Sequence, residues 1–75
     1  MTKEELGLEL NNLYTNAKNG EKVLMIHVFG VKYADEIKSS KYLVKDIIKS
    51  ANINESYVTE LNKGIKLAKY VKIKE

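Results

Sequence analysis

The sequence predicts an all-α fold, a compact bundle of four to five short helices with room for a short extended arm at the C-terminus. Three observations carry that reading. A helix-capping signature, Thr2-Lys3-Glu4-Glu5, stands directly ahead of a run of leucines at helical spacing. A second amphipathic repeat, Leu43, Val44, Ile47, Ile48 and Ala51, is followed by the asparagine-bounded turn Asn52-Ile53-Asn54. The two stretches with strand character, residues 23–31 and 71–73, are too few to build a stable sheet.

At 75 residues, with no cysteine, proline or tryptophan, the chain reads as one domain spanning residues 1–75. A domain of this size buries only about 60% of the surface it exposes when unfolded. Without a disulfide or a cysteine metal cluster its stability must come from packing, helped where needed by a partner. The charged fraction of 31% and hydrophobic fraction of 44% are those of an ordinary globular domain. The absence of cysteine fits a reducing cytoplasm, and Met1-Thr2-Lys3-Glu4-Glu5 has neither the basic nor the apolar region of a secretory signal. A membrane-spanning helix needs roughly 20 apolar residues. The longest apolar run, residues 23–31, is much shorter and is interrupted by His27 and Gly30, so no membrane segment is expected.

The first helix is expected to start at about Lys3, with the Thr2 hydroxyl capping it and Glu5 reaching back. Leu6, Leu10, Leu13, Tyr14 and Ala17 share its inner face, Asn11, Asn12 and Thr15 look outward, and Leu8 lies off the apolar stripe. Asn19-Gly20 offers the left-handed residue that ends a helix, with Lys18 against the C-terminal dipole. The next segment holds Val23, Leu24, Met25, Ile26, Val28, Phe29 and Val31, apolar nearly all round, and is best read as a buried helix. Gly30 is expected to break or kink it before Tyr33, Ala34 and Ile37 continue the stripe. Ser39 or Ser40 then caps a helix whose inner face is Leu43, Val44, Ile47, Ile48 and Ala51. Asn52 tolerates the left-handed conformation and Asn54 can cap the helix that follows. That helix is expected over residues 55–63, burying Val58 and Leu61 and ending near Gly64, after which residues 65–71 form one or two more turns or an extended arm.

The stretch Ile47-Ile48-Lys49-Ser50-Ala51-Asn52-Ile53-Asn54-Glu55-Ser56-Tyr57-Val58-Thr59-Glu60-Leu61-Asn62 resembles the helix-turn-helix units of bacterial DNA-binding proteins. Ile48 faces inward from the first helix, Asn52 occupies the turn position usually held by glycine, Ile53 plugs the angle between the helices and Val58 anchors the second. The departure is asparagine for glycine. The wider run from Phe29-Gly30-Val31-Lys32-Tyr33-Ala34-Asp35-Glu36-Ile37 through that unit is similar to small bacterial HTH-like domains, a likeness that implies fold more than activity. If the unit reads DNA, its second helix enters the major groove. Ser56, Thr59 and Lys63, at i, i+3 and i+7, are then the base-contact candidates, while Glu55 and Glu60 would sit near phosphates and oppose binding unless one accepts from cytosine N4.

Charge is unevenly spread. Residues 1–36 hold four lysines and six acids, a net −2, whereas residues 37–75 hold nine lysines and four acids, a net +5. Lys38, Lys41, Lys45 and Lys49 form one stripe, and Lys63, Lys66, Lys69, Lys72 and Lys74 a second cluster, both flanking the candidate reading helix. Of these, Lys38, Lys41, Lys45, Lys49, Lys66 and Lys69 are the phosphate-contact candidates. All 13 basic residues are lysine, which with seven asparagines and seven isoleucines has the bias of an AT-rich coding sequence, so the pI of about 9.1 is discounted. A solvated lysine-rich surface is the competing reading.

Catalytic chemistry is poorly provided for. His27 is the one histidine, lies in the most apolar segment and has no cysteine for a nucleophilic dyad or a zinc site, so it reads as a packed or edge histidine. Asp35 and Glu36 are adjacent and diverge on a helix, and Gly7, Gly20, Gly30 and Gly64 are isolated, making no phosphate-cradling loop. No enzyme activity, metal or cofactor is expected. The leading function is therefore DNA binding, as a regulator or the DNA-binding part of a larger bacterial or phage system. Its rival is a protein-interaction or oligomerisation module, a homodimer among the options, that docks through residues 23–31 with Leu8 and Tyr57.

Overall fold

The capping box forms as spelled out by the first five residues. Thr2 Oγ1 accepts from the Glu5 N–H at 3.0 Å, and the Glu5 carboxylate accepts from the Thr2 N–H at 2.8 Å. The computed structural model describes residues 1–74, and the final residue of the expected 1–75 domain lies outside that range. Among the described residues every regular element is helical: α1 (Lys3–Thr15), α2 (Lys22–Lys32), α3 (Ala34–Ser39), α4 (Val44–Ser50) and α5 (Val58–Leu67), the last entered through a single 3-10 turn, Glu55–Tyr57. The all-α bundle holds, and so does the helical reading of the 23–31 segment.

Helix α1 ends earlier than Asn19-Gly20 suggested, at Thr15 with Asn16 as its cap. Gly20 does adopt the left-handed conformation, φ +83°, but in a separate tight turn closed by the Glu21 N–H donating to Lys18 O at 2.9 Å. Lys18 therefore lies in that turn and not beside the helix terminus. Leu6 and Leu10 are fully buried and Leu13 and Tyr14 pack at the edge of the core. Asn11, expected to face water, instead turns toward α4 and donates through Nδ2 to Ala51 O at 2.8 Å.

Gly30 neither breaks nor kinks α2, and Gly64 does not end α5. Both sit inside their helices, where the two cross. A Cβ on Gly30 would lie 2.8 Å from the Gly64 carbonyl carbon and from the Ile65 nitrogen, and one on Gly64 would lie 2.6 Å from His27 O. The absent side chains let the backbones touch, and α2 against α5 is the most extensive helix pairing in the molecule. The break after α2 comes at Tyr33, φ −110° and ψ 18°, which turns the chain into α3.

Neither serine caps α4. Ser39 Oγ donates to Glu36 O at 3.2 Å, while Ser40 Oγ donates to Ile37 O at 2.7 Å and accepts from the Tyr42 N–H, so both close α3 and order the loop behind it. The cap of α4 is Leu43, in extended backbone and without a side-chain bond; lying ahead of the helix it misses the inner face and is 61% exposed. Ile47, Ile48 and Ala51 do face inward, joining Leu6, Leu10, Ile26, Phe29, Ala34, Ile37, Leu61 and Ile65 in one hydrophobic cluster.

The turn after α4 is a Schellman motif. The Asn52 N–H donates to Lys49 O at 3.0 Å and the Ile53 N–H to Ile48 O at 3.4 Å, with Asn52 at φ +59°. Asn54 Oδ1 then accepts from the Ser56 N–H at 2.8 Å, capping the 3-10 turn. Ile53 and Val58, expected in the core, are half-buried at its rim. Past Leu67 a turn over residues 68–70 leads into an arm without regular structure, whose Val71 and Ile73 line a shallow groove with Val31, Ala34 and Ala68.

Alanine at position 64 is expected to cost about 1–3 kcal/mol by overpacking the crossing, in spite of the gain of up to about 1 kcal/mol that alanine brings to a helix interior. Asn52→Gly, by contrast, should be neutral or stabilising by up to about 1 kcal/mol, since only the positive φ is at stake there. Urea midpoints of the two variants, moving in opposite directions or with the second unmoved, check both statements.

Candidate functional site

The candidate reading helix, α5, is held from three sides. Helix α4 and the Schellman turn set its starting direction, the glycine crossing seats its second half on α2, and a tyrosine pair pins the turn that leads into it. Tyr57, in the 3-10 turn, meets Tyr14 of α1 edge-on, with ring centroids 5.5 Å apart and hydroxyls 3.3 Å apart. Lys22 Nζ lies 4.5 Å from the Tyr14 ring centroid and donates to Tyr14 O at 3.1 Å, tying the start of α2 to the end of α1. The hydrogen bond with Tyr14 pushes the Tyr57 phenol above its ordinary range. Nothing local in the sequence announces this cluster, because its tyrosines are 43 residues apart.

Among the base-contact candidates, Thr59 and Lys63 stand at i and i+4 on α5, and both are exposed. Ser56 is exposed as well but belongs to the 3-10 turn, whose tighter winding advances each residue by about 20° more than an α-helix does. The expected i, i+3, i+7 stripe is therefore broken at its first member. Glu55 is exposed in the same turn.

Glu60 differs most from expectation. Its side chain leans back against α2, about a quarter exposed, where Oε1 lies 2.8 Å from His27 Nε2 and Oε2 lies 3.4 Å from Lys63 Nζ. An ionised carboxylate only accepts, so the Nε2 position carries the proton. The His27 hydrogen bond, with a smaller contribution from Lys63, holds the Glu60 carboxyl below the usual carboxylate range. Glu60 is thus a partnered link between α2 and α5 and not a free anion on the outer face, and Lys63 is partly neutralised by it.

The six phosphate candidates are all exposed: Lys38 at the end of α3, Lys41 in the loop that follows, Lys45 and Lys49 one turn apart on α4, Lys66 on α5 and Lys69 just beyond it. None of the six is ion-paired among the described residues. The apolar segment offered to a partner is largely spent on the fold, since Ile26 and Phe29 are fully buried; Val23 and Leu24 remain outward, 39% and 50% exposed, and Leu8 60%. Among the described residues no group of three His, Cys, Asp or Glu side chains could hold a metal ion, and no helix is long and apolar enough to cross a membrane.

A family model described as an HTH-like domain matches residues 2–74. The chain belongs to the HTH-like domain family. Compared with curated proteins and with solved structures, it has no significant match. Membership of the HTH-like family accords with the α4–turn–α5 geometry, and it covers α1 to α3 as well as the two helices that carry the motif.

The His27–Glu60 link gives this HTH-like domain an acid-sensitive seam. A carboxyl whose affinity for protons is lowered by folding stabilises the fold above the ordinary carboxylate range, and that stability is lost as pH falls through the lowered value. Glu5, held low by the Thr2 N–H and hydroxyl, acts in the same direction. The melting temperature of Glu60→Gln is therefore expected to fall less steeply than that of the native chain between about pH 5 and pH 2, while keeping the part of the slope due to Glu5. Thermal melts across that range are the check.

Proposed function

We propose that this HTH-like domain binds duplex DNA with α5 as its reading helix, and serves as a regulator or as the DNA-binding part of a larger bacterial or phage system in the cytoplasm. One observation carries the reading: a Schellman turn centred on Asn52 presents an α5 whose outer residues, Thr59 and Lys63, are framed by lysines that have no ion pair among the described residues. Lys45 and Lys49 on α4, with Lys38 and Lys41 before them, Lys66 on α5 and Lys69 just after it, are the phosphate contacts in this proposal. Thr59 and Lys63 face the base edges, with Ser56 turned aside in the 3-10 turn at the edge of that face, and there a hydroxyl bonds several edges and an ammonium reaches guanine. The retreat of Glu60 toward His27 supports the reading, because it takes away one of the two acids that would repel the duplex. The role is one of binding, without catalysis.

A second reading keeps one specific support. Leu8, Val23 and Leu24 are exposed apolar side chains, and a protein partner or a second copy could cover them. Salt separates the two. Each neutralised phosphate contributes about −0.9 to the slope of log K against log salt, whereas an apolar interface is nearly flat.

Changing Lys45 or Lys49 to Ala is expected to weaken binding to all duplexes alike and to make the slope shallower by about 1 each. Thr59→Ala should leave the slope unchanged and alter which sequences are preferred. Fluorescence anisotropy with random and selected duplexes across a salt series measures both. A flat salt response, with amide shifts confined to residues 23–31 in an NMR titration, would transfer the function to the interaction-module reading.

A further inference from the structure

The arm that follows α5 combines two properties, the first outside the duplex reading and the second only partly used by it. The first is an unpartnered aromatic ring. Tyr70 is 82% exposed, the most exposed large hydrophobic residue of the chain, and its ring meets no other ring or ammonium group among the described residues. Burial does not account for it. The second is charge of a single sign: residues 61–74 contain Lys63, Lys66, Lys69, Lys72 and Lys74 and no acid.

The backbone around this ring is held in place. The Tyr70 N–H donates to Leu67 O at 2.9 Å and the Val71 N–H to the same oxygen at 3.2 Å, closing the turn. Beyond it Val71, Lys72 and Ile73 line the groove with Val31, Ala34, Ala68, Lys32 and Asp35; Ile73 is half-buried, and Val71, Lys72 and Lys74 are exposed. Apolar residues and lysines thus alternate along the arm, and the ring stands at the head of the row.

We propose that residues 66–74 form a binding site for single-stranded nucleic acid, in which Tyr70 stacks on an unpaired base and Lys69, Lys72 and Lys74 hold the neighbouring phosphates. An aromatic ring within a track of lysines is the arrangement by which single strands are held without sequence preference, because every base has a π-face and every linkage a negative charge. A duplex offers no free base face to Tyr70, so the ring discriminates between the two forms. The inference shares Lys66 and Lys69 with the duplex reading but turns on Tyr70, Lys72 and Lys74, which that reading does not use, so either can fail without the other.

The chain lacks tryptophan, so Tyr70→Trp introduces a unique fluorophore that also keeps the stacking surface. Its emission should be quenched by an oligothymidylate of about 12 nucleotides, a typical site size, and not by an abasic strand of equal length. In anisotropy, Tyr70→Ala should bind that oligothymidylate about 5- to 100-fold more weakly than the native chain, with Tyr70→Phe near native. A mixed-sequence duplex should bind Tyr70→Ala as it binds the native chain. Unchanged affinity of Tyr70→Ala for the single strand overturns the proposal, as does an equal loss on single strand and duplex. A blue shift of the Tyr70→Trp emission with phosphatidylserine vesicles, without quenching by the oligonucleotide, also overturns it and assigns the arm to an anionic membrane surface.

Discussion

Where α2 and α5 cross, Gly30 and Gly64 bring two backbones closer than any side chain would permit. The consequence reaches well past the two glycines. A helix pair in ordinary contact keeps its axes 8–10 Å apart and fills the space with side chains, which a 75-residue chain has few of to spare. By removing both Cβ atoms at the crossing, the fold frees Phe29, Ile26, Leu61 and Ile65, the apolar residues on either side of it, to pack with α1 and α4 in one cluster. The crossing also determines which polar groups meet. His27 and Glu60 stand one turn before Gly30 and Gly64 on their respective helices, and their 2.8 Å contact follows from that register.

Local signals were legible in the sequence and non-local ones were not. The Thr2–Glu5 capping box and the positive φ of Asn52 could be read because each depends on residues within a few positions of one another. Gly30 and Gly64 were misread for the same reason. Seen locally a glycine in a helix is a breaker or a terminus, and only the partner helix reveals it as a point of close approach. Asn11 was misplaced because its acceptor, Ala51 O, is 40 residues away; on its own helix it has the look of a solvent-facing amide. Leu43 fitted the heptad-like spacing of α4 but precedes its first turn, where the extended backbone points it elsewhere.

The candidate site shows the same division. Exposure of Ser56, Thr59 and Lys63 followed from the amphipathic pattern, as did exposure of the six flanking lysines. The pattern was blind to the 3-10 turn, which shifts Ser56 relative to Thr59, and to the pairing of Glu60, which turns that carboxylate toward α2. A histidine 33 residues upstream cannot be matched to one particular glutamate by spacing alone. A lone histidine in an apolar segment does imply a polar partner somewhere, since a half-buried imidazole left unbonded is costly. That requirement was present in the sequence, whereas the identity of the partner required the fold.

Charge and fold are arranged on different principles here, and the difference bears on how the molecule meets a polyanion. The core takes side chains from all five helices, but the uncompensated lysines sit on α3 to α5 and the two segments that follow α3 and α5. The acids of the first half are placed where folding uses or tolerates them: Glu5 caps α1, Glu36 lies 3.6 Å from the terminal ammonium, and Glu4 lies 4.0 Å from Lys3. In the second half Glu60 is partnered across helices and leans toward α2. Segregation of this kind does little for stability, since exposed lysines of one sign repel. What it does is leave a positive field on the side that carries the helix-turn-helix, strongest at low ionic strength and screened over about 10 Å in 0.1 M salt. In the nucleic-acid binding proposed above, lysines around α4, α5 and the arm would supply the long-range attraction, and Thr59, Lys63 and Tyr70 the short-range contacts that tell one nucleic acid from another.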